Sequence, residues 1–234
     1  MTQTKNSTES RIVETFRNAD GSGQPKWLLA FRNAGISTFA ELGFPTLHDE
    51  DWRFTNVAPI AALPFQPARA TAVNGAESGL LSRAVFAALS GCRLVFVNGF
   101  FSAKLSRIQG LPGGVIVDSL SVALARDAAL IEKHLGKYAR TSDNAFAALN
   151  QAFFSDGTLI YVPDGVEIAE PVQIVYISST KEAGQAILPR NLIIMGANTR
   201  ATIVESYLSS GDAVSFTNAV TEIVAGENAV LEHV

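Results

Sequence analysis

From Asp156-Gly157 to the carboxyl terminus, the sequence is a succession of short β-branched and aromatic runs separated by turn residues. No amphipathic helix fits among these runs, which include TLIYV, VQIVYIS, NLIIMG, RATIVESYL and AVTEIVAGENAVLEHV. The turn glycines Gly165, Gly196 and Gly226 lie 31 and 30 residues apart. This spacing favours strands that stack coil upon coil, as in a β-helix, over a β-sandwich with regular hairpins, which the short strands also allow.

The first quarter of the chain has helical periodicity instead. Two apolar stripes recur at helical spacing: Ile12, Val13 and Phe16, then Trp27, Leu28, Phe31 and Ala34. Pro25 and Gly35 are typical start and stop residues, so they predict a short helix over 26–34. Thr38 with Glu41 predicts a capping box for a further short turn.

These patterns divide the chain into two parts and predict an α+β fold. Residues 1–90 form a helical domain, in which the proline-rich and then small, polar stretch 59–79 is a linker. Residues 91–234 form the β core, with a helical insertion at about 121–153. Within these parts a helical stripe is predicted at 80–89, and short strands at 92–97 and 115–117.

Composition excludes several classes of protein. With 47% hydrophobic and 17% charged residues, the chain is neither disordered nor a charged coiled coil. A net charge of −4 without any Lys/Arg run argues against nucleic acid as a partner. The start, MTQTKNSTES, lacks the layout of a secretory signal, and no apolar stretch approaches a membrane span, so we expect a cytoplasmic protein.

Few residues are candidates for metal or redox chemistry. The single cysteine, Cys92, cannot form an internal disulfide or hold a zinc ion or cluster alone, and its apolar surroundings favour a buried side chain. The histidines His48, His134 and His233 are far apart, and His134 is expected at a helix end or on the surface. Glu232 adjoins His233, but neighbours on a strand point to opposite faces and cannot chelate together.

Two carboxylates keep an enzyme hypothesis open. Glu205 and Glu232 occupy comparable places in successive coils, where they either stack and bind a metal or project into solvent. A carbohydrate-active β-helix enzyme is therefore the alternative function. The sequence has no Gly-x-Gly-x-x-Gly, no phosphate-binding loop and no Gly-x-Ser-x-Gly motif, so it predicts no catalytic, cofactor-binding or metal-binding residues.

An unusual segment at residues 42–57 combines a proline turn, LGFPT, with the run DEDWRFTNV. Its aromatic side chains suit an anchor that packs onto a neighbouring surface. A partner-binding edge is the other interpretation of the same residues.

At this segment the chain resembles the SufD family, scaffold subunits of the SUF iron–sulfur cluster assembly machinery. That family carries a Leu-Gly-x-Pro-Thr turn followed by an acidic residue, Trp, a basic residue, an aromatic residue and Thr, matched by Leu42–Thr46 and Glu50–Thr55. Further matches follow in order over roughly residues 25–234: Val95–Gly99, Asp143–Gly157, Tyr161–Pro163 with Gly165, Pro189–Leu192, Val204–Tyr207 and Thr217–Glu222.

The resemblance implies an N-terminal helical domain followed by a right-handed parallel β-helix. It also implies a complex with the related subunit SufB and the ATPase SufC, in which this chain is a scaffold and not an enzyme. The iron–sulfur cluster and ATP would then be handled by the assembled complex, with no cofactor in this chain. The family's late Cys-x-His-Gly segment and C-terminal helices have no counterpart in these residues.

The last strand-like run reaches the end of the sequence at LEHV. Solenoids need a polar cap at each end, so we expect a C-terminally truncated β-helix with an open last coil. We expect that coil either to pair with a second copy in a homodimer or to continue in a longer chain.

Overall fold

The computed structural model describes residues 3–18, 23–73, 75–84, 89–180, 182–210 and 213–234. Within them the α-helices are α1 (Gln3–Arg17), α2 (Lys26–Leu42), α3 (Ala58–Ala61), α4 (Gly75–Ala84), α5 (Leu120–Arg126), α6 (Ala128–His134) and α7 (Ala145–Phe153), with a 3-10 turn at Glu50–Trp52. The strands are β1 (Gln66–Pro67), β2 (Arg93–Val97), β3 (Phe100–Phe101), β4 (Ile116–Ser119), β5 (Thr158–Val162), β6 (Val172–Ser178), β7 (Gln185–Ile187), β8 (Arg190–Met195), β9 (Arg200–Ser209), β10 (Ser215–Thr217), β11 (Val220–Ala225) and β12 (Val230–His233).

The strands form three sheets, ordered β1-β7-β10, β11-β8-β5-β4 and β12-β9-β6-β2-β3. Strands β5 to β12 pair with one another in parallel. Among the described residues, the antiparallel strand pairs are β2 with β3 and β4 with β5, and Arg93 and Arg107 form an isolated antiparallel bridge. Val220 pairs with Arg190 and Val230 with Arg200, which is the predicted offset between successive coils. The predicted parallel stacking from about residue 158 onward is therefore confirmed.

The turn between the second and third sheets repeats from coil to coil. Gly165 has a left-handed φ of 74°, but in the next two turns Asn198 and Asn228 take that conformation, with φ of 55° and 56°. Gly226 instead provides close approach, because a Cβ there would lie 2.7 Å from the carbonyl carbon of Gly196. The two asparagines stack, with the Nδ2 of Asn228 donating to the Oδ1 of Asn198 over 3.1 Å. The turns of successive coils therefore stack directly on one another.

Two apolar layers hold the strands and helices together. The interior of the stacked coils contains side chains such as Leu94, Phe96, Ile160, Ile174 and Ile193, which are all fully buried. Outside the coils, α2 and α7 pack against each other and cover β8. Helices α2, α5 and α6 thus cover the outer face of the β11-β8-β5-β4 sheet, whereas α4 packs on the outer face of β2 and β6.

The predicted helix 26–34 is too short. In the structure α2 continues through Gly35 and ends at Leu42, where Gly43 takes a left-handed φ of 64°. Gly35 is a contact residue, because a Cβ there would lie 2.8 Å from the amide nitrogen of Ala152 in α7. The predicted capping box at Thr38 and Glu41 is wrong, because both residues lie inside the continuous helix.

The stretch 59–79 is more ordered than a linker. It contains most of α3, the strand β1, which pairs in parallel with β7, and the first half of α4. The helical stripe expected at 80–89 begins earlier, at Gly75, and residues 85–88 lie outside the described part of the chain. The strand expected at 115–117 is observed as Ile116–Ser119. The proline and small residues of this stretch give no periodic pattern. The elements form nonetheless, because their stability comes from pairing with distant parts of the chain.

Candidate functional site

A hydrogen-bonded polar network lies inside the coils, on the inner face of β8. Its centre is Asn191, which is fully buried. The Asn191 Oδ1 accepts hydrogen bonds from the Thr158 amide over 3.0 Å and from the Tyr176 hydroxyl. The Asn191 Nδ2 donates to Glu205 Oε1 over 3.3 Å and to Thr221 Oγ1 over 3.2 Å. One amide side chain therefore connects β5, β6, β9 and β11.

An aromatic stack continues this network along the coils. The rings of Phe96 and Tyr176 stack at 4.9 Å, and those of Tyr176 and Tyr207 at 5.2 Å. The Tyr207 hydroxyl donates a hydrogen bond to Glu205. Burial raises the pKa of both tyrosines well above the ordinary range, so both hydroxyls keep their protons.

Glu205 has an imidazole as its second partner. The Nε2 of His233 lies 2.8 Å from Glu205 Oε2, and the side chain of Glu205 is only 9% exposed. Of the two arrangements considered for Glu205 and Glu232, stacking does not occur, because Glu232 pairs in register with Thr202, lies on the opposite face of the sheet and is exposed. The enzyme alternative depended on stacked carboxylates, and this register removes that argument.

A buried ion pair lies on the other face of β8, under the helices. Arg190 and Glu222 are both buried, and the Arg190 Nη2 donates to Glu222 Oε1 over 2.6 Å. The same carboxylate accepts the amide of Gly136 over 2.9 Å and that of Tyr138 over 3.0 Å. Glu222 on β11 therefore fixes the loop after α6.

The Arg190 guanidinium also binds α7. Its Nη1 donates a hydrogen bond to Asn150 Oδ1 over 3.0 Å, and the guanidinium carbon, Cζ, lies 5.2 Å from the ring centre of Phe31. The Asn150 Nδ2 donates to the carbonyls of Pro189 and Asn218, each over 2.8 Å. Burial lowers the pKa of Arg190, while Glu222 acts in the opposite direction. All of these contacts join the helical layer to the sheet.

A second buried carboxylate, Asp156, lies where the coils begin. It accepts hydrogen bonds from the Ser119 hydroxyl over 2.8 Å and from the amides of Phe101, Ser121 and Gly157. Burial raises its pKa, against the opposing effect of these hydrogen bonds. Asp156 thus connects β3, β4 and the start of β5.

The cysteine and two of the histidines lie apart from these networks. Cys92 is 2% exposed, as expected, and burial raises the pKa of its thiol to about 11. His134 ends α6, as predicted, and its ring stacks on Tyr138. His48 is exposed. Of the histidines, only His233 reaches a carboxylate.

One end of the segment 42–57 packs onto the helices, as the anchor interpretation predicts. Phe44 is buried against Phe39 and Phe146, and Trp52 packs on Phe146 with ring centres 5.1 Å apart, which confirms the anchor. Phe54, by contrast, is 89% exposed. The segment is thus fixed at one end and presents an aromatic ring to solvent at the other.

Sequence reasoning missed the residues that carry most of the buried polar contacts. Arg190, Asn191 and Glu222 all lie within motifs that carried the family resemblance, yet no chemistry was assigned to them. A usable signal was present: a charged or amide side chain stands among apolar neighbours of a strand that is buried on both faces.

The described residues do not form a metal site, because none of their His, Cys, Asp and Glu side chains gather in groups of three or more. Glu205 and His233 supply two ligands, fewer than the three or four protein ligands that zinc sites use. Within the same part of the chain, each helix is too short or too polar to cross a bilayer.

Comparison with known proteins identifies the class to which this architecture belongs. Residues 11–174 match the SufBD protein N-terminal region, and residues 176–234 match the SufBD core domain of the SUF iron–sulfur cluster assembly system. The chain therefore belongs to the SufBD family. Within that family it is a homologue of SufD, as the following relatives show.

The chain is 26% identical to the iron–sulfur cluster assembly protein SufD of Bacillus subtilis, over 97% of this chain and 51% of the relative. It is 28% identical to a SufBD family protein of Synechocystis, over 87% of this chain and 46% of the relative. A chloroplastic SufBD family protein of Arabidopsis thaliana is 32% identical over 51% of this chain. The chain spans about half the length of the first two relatives.

Proposed function

We propose that this SufBD family chain is a scaffold component that acts in a complex with SufB and SufC. The observation that carries the proposal is the buried Arg190–Glu222 pair, which fixes the helical layer onto the stacked sheets. A scaffold must hold a constant surface, and a buried, fully hydrogen-bonded pair favours one arrangement of its parts. We further propose that the coils wind as a right-handed parallel β-helix, the expected hand for parallel strand connections.

The same proposal gives this chain no catalytic step of its own. The polar side chains inside the coils bind one another: Asn191 uses both its oxygen and its nitrogen within the network. The one cysteine is buried and keeps its proton, which makes it a poor ligand for iron. We therefore propose that the cluster and ATP are handled by the complex, with the cluster as cargo.

Complex formation is tested by co-expressing the tagged chain with SufB and SufC and measuring the eluted complex by size-exclusion chromatography with light scattering. We expect the chain to retain both partners. Full-length SufD of Bacillus subtilis with its own SufB and SufC is the positive control. A chain that folds cooperatively but elutes alone, while the control assembles, contradicts the proposal.

Cargo binding is tested by anaerobic reconstitution of the isolated chain with iron and sulfide. We expect no stoichiometric absorbance of a cluster, and no difference between the original chain and Cys92→Ala. A stoichiometric cluster that is lost in Cys92→Ala contradicts the proposal that the chain alone holds no cluster.

We propose the cytoplasm as the compartment, because a reducing environment suits a chain whose single cysteine is an unpaired, buried thiol. Cell fractionation with an antibody to the chain tests this assignment. Recovery in an organelle would contradict it. The name of the Arabidopsis relative describes that protein as chloroplastic.

A further inference from the structure

The strand β1 has one free edge in the described part of the chain. It pairs in parallel with β7 and lies at the end of the β1-β7-β10 sheet. The amides of Gln66 and Ala68 donate hydrogen bonds across this pairing, over 3.2 and 2.8 Å. Alternate residues of a strand direct their backbone groups to opposite edges, so those of Phe65, Pro67 and Arg69 point away from β7. Within the described residues, the backbone groups of these three positions make no hydrogen bond.

A cavity of about 760 Å³ lies along this free edge. Gln66 and Pro67 both line it, and so do the flanking residues Phe65 and Arg69. Neighbouring residues of a strand point to opposite faces of the sheet, so a space that all of them line lies beyond the edge of the strand. Ligand-binding cavities usually measure about 300–1,000 Å³. The free backbone groups therefore border a space of the size that a ligand needs.

One wall of the cavity is held by the buried side chain of Asn98. This residue is 2% exposed and takes a left-handed φ of 52° in the turn after β2. Its Oδ1 accepts a hydrogen bond from the amide of Ser179 over 2.8 Å, and its Nδ2 donates to the Oγ1 of Thr71 over 3.1 Å. All three residues line the cavity. The loops that form this wall are thus joined to one another without a ligand, which lowers the cost of ordering them on binding.

The walls offer free hydrogen-bonding groups and two charges of opposite sign. Four uncharged side chains in the wall make no hydrogen bond with other described residues: Gln66, Ser179, Thr180 and Gln185. Arg69 and Glu182 also line the cavity, and neither forms an ion pair within the described part of the chain. A ligand that carries both signs of charge can therefore pair with each of them.

A second cavity, of about 310 Å³, extends this space along α1. It shares Thr15, Phe65 and Gln66 with the first cavity and continues to Thr8 and Arg11. Together the two cavities form an elongated cleft between α1 and the segment that contains β1. A long cleft beside a strand edge fits an extended chain better than a compact small molecule.

We propose that the free edge of β1 and this cleft bind an extended segment of a partner polypeptide by strand addition. The segment forms hydrogen bonds with the backbone of Phe65, Pro67 and Arg69, which is the way in which sheet edges recognise peptides. Pro67 offers a carbonyl but no amide, so the segment only donates at that position. Arg69 and Glu182 select a segment with one acidic and one basic side chain. The complex with SufB and SufC assigns nothing to this edge, so the two proposals can fail separately.

The test selects random octapeptides displayed on phage against the immobilised 234-residue chain. Enriched peptides are synthesised with capped ends, and their binding is measured by calorimetry. We expect saturable binding, with hydrogen exchange at the amides of Phe65 and Arg69 slowed at least about tenfold, as measured by NMR. A library that yields no binding peptide would overturn the site, and so would peptides that leave the exchange of both amides unchanged.

Methylation of the peptide's backbone nitrogens tests strand addition directly. Two versions of the peptide carry N-methyl groups at alternate residues, in the two possible registers. Only one register directs its amides at β1, so we expect one version to lose about tenfold or more in affinity and the other to bind like the parent peptide. Equal affinities of the two versions would contradict strand addition.

The variant for the site is Arg69→Glu, which reverses a charge in the cleft at an exposed side chain without an ion pair. We expect an unchanged melting temperature and a loss of peptide affinity of about tenfold or more. The matched control is Arg140→Glu, the same change at a side chain that is 81% exposed and outside the cleft, which should bind like the original chain. Equal losses in the two variants would reduce the effect to net charge and overturn the site. A dimer of the original chain that Arg69→Glu abolishes would assign the edge to a second copy and overturn the partner.

Discussion

At the scale of single residues, stability depends on a few polar groups that are buried in pairs or networks. Arg190 and Glu222 are the extreme case, because neither side chain has any exposed surface. Two charges taken out of water lose hydration, and their attraction compensates for this only when every remaining donor and acceptor is used. Here the carboxylate also accepts backbone amides, and the guanidinium also binds Asn150.

We predict that Glu222→Gln lowers the free energy of unfolding by about 3–5 kcal/mol, because the variant leaves the Arg190 charge buried without its counter-ion. Urea unfolding followed by circular dichroism measures the change. The control is Glu227→Gln, an exposed turn position on the same coil, where we expect a change within about 0.5 kcal/mol. Equal effects of the two substitutions would show that the pair is not a stabilising contact.

A second prediction concerns the Cys92 thiol, whose pKa burial raises from 9.0 to about 11. At pH 8 only about one folded thiol in a thousand is ionised, so iodoacetamide should leave Cys92 unmodified over hours. The unfolded thiol loses its proton first, so raising the pH from 9 to 11 should lower stability. Mass spectrometry measures the labelling, with the urea-unfolded chain as control. Rapid labelling of the folded chain at pH 8 would contradict the prediction.

At the scale of elements, the close contact of α2 with α7 depends on the absence of a side chain at one position. Gly35 lies in the middle of α2, where a Cβ would be 2.9 Å from the carbonyl oxygen of Ala148. Because that atom belongs to the backbone of α7, it cannot move aside by a change of rotamer. The two helices can approach only because residue 35 is glycine.

We predict opposite effects for two Gly→Ala substitutions within helices. Gly35→Ala should lower stability by about 1–3 kcal/mol, because the overpacking outweighs the gain in helix propensity. Gly79→Ala in α4 meets no atom within 4 Å, so it should raise stability by about 0.5–1 kcal/mol. Thermal unfolding of both variants gives the comparison. A stabilising Gly35→Ala would show that α2 and α7 are less closely packed than described.

At the scale of the whole molecule, strands differ in how many neighbours they have. The strand β8 lies between β11 and β5, and β6 lies between β9 and β2, whereas β10 and β12 each pair on one side. A strand with two neighbours has its backbone groups hydrogen-bonded on both sides. The exchange of its amide hydrogens with solvent therefore requires a larger opening of the structure.

We therefore predict a gradient of hydrogen exchange, with β6 and β8 at least about tenfold slower than β10 and β12. Exchange followed by mass spectrometry on peptides from each strand measures it. The exposed loop around Phe54 provides the fast reference. Equal protection of β8 and β12 would contradict the stacking order.

Much of the architecture could be predicted from the sequence, because it depends on local chemistry that repeats. Gly165, Gly196 and Gly226 mark turns at a fixed spacing, and β-branched runs between them can form strands but not amphipathic helices. The motifs around Trp52 and Arg190 likewise carried the family resemblance. The positions of most strands and the direction of their stacking followed from these local signals.

Only the tertiary structure decided which residues meet across the coils and under the helices. Gly35 has the sequence signature of a helix end, but α7 makes it a contact point inside a longer helix. Glu205 reaches His233 and not Glu232, because the register of β9 with β12 places Glu232 on the other face. Periodicity fixes the face of an element on which a side chain lies. The partner on that face depends on how segments that are far apart in the sequence pack together, and a local pattern carries no information about that packing.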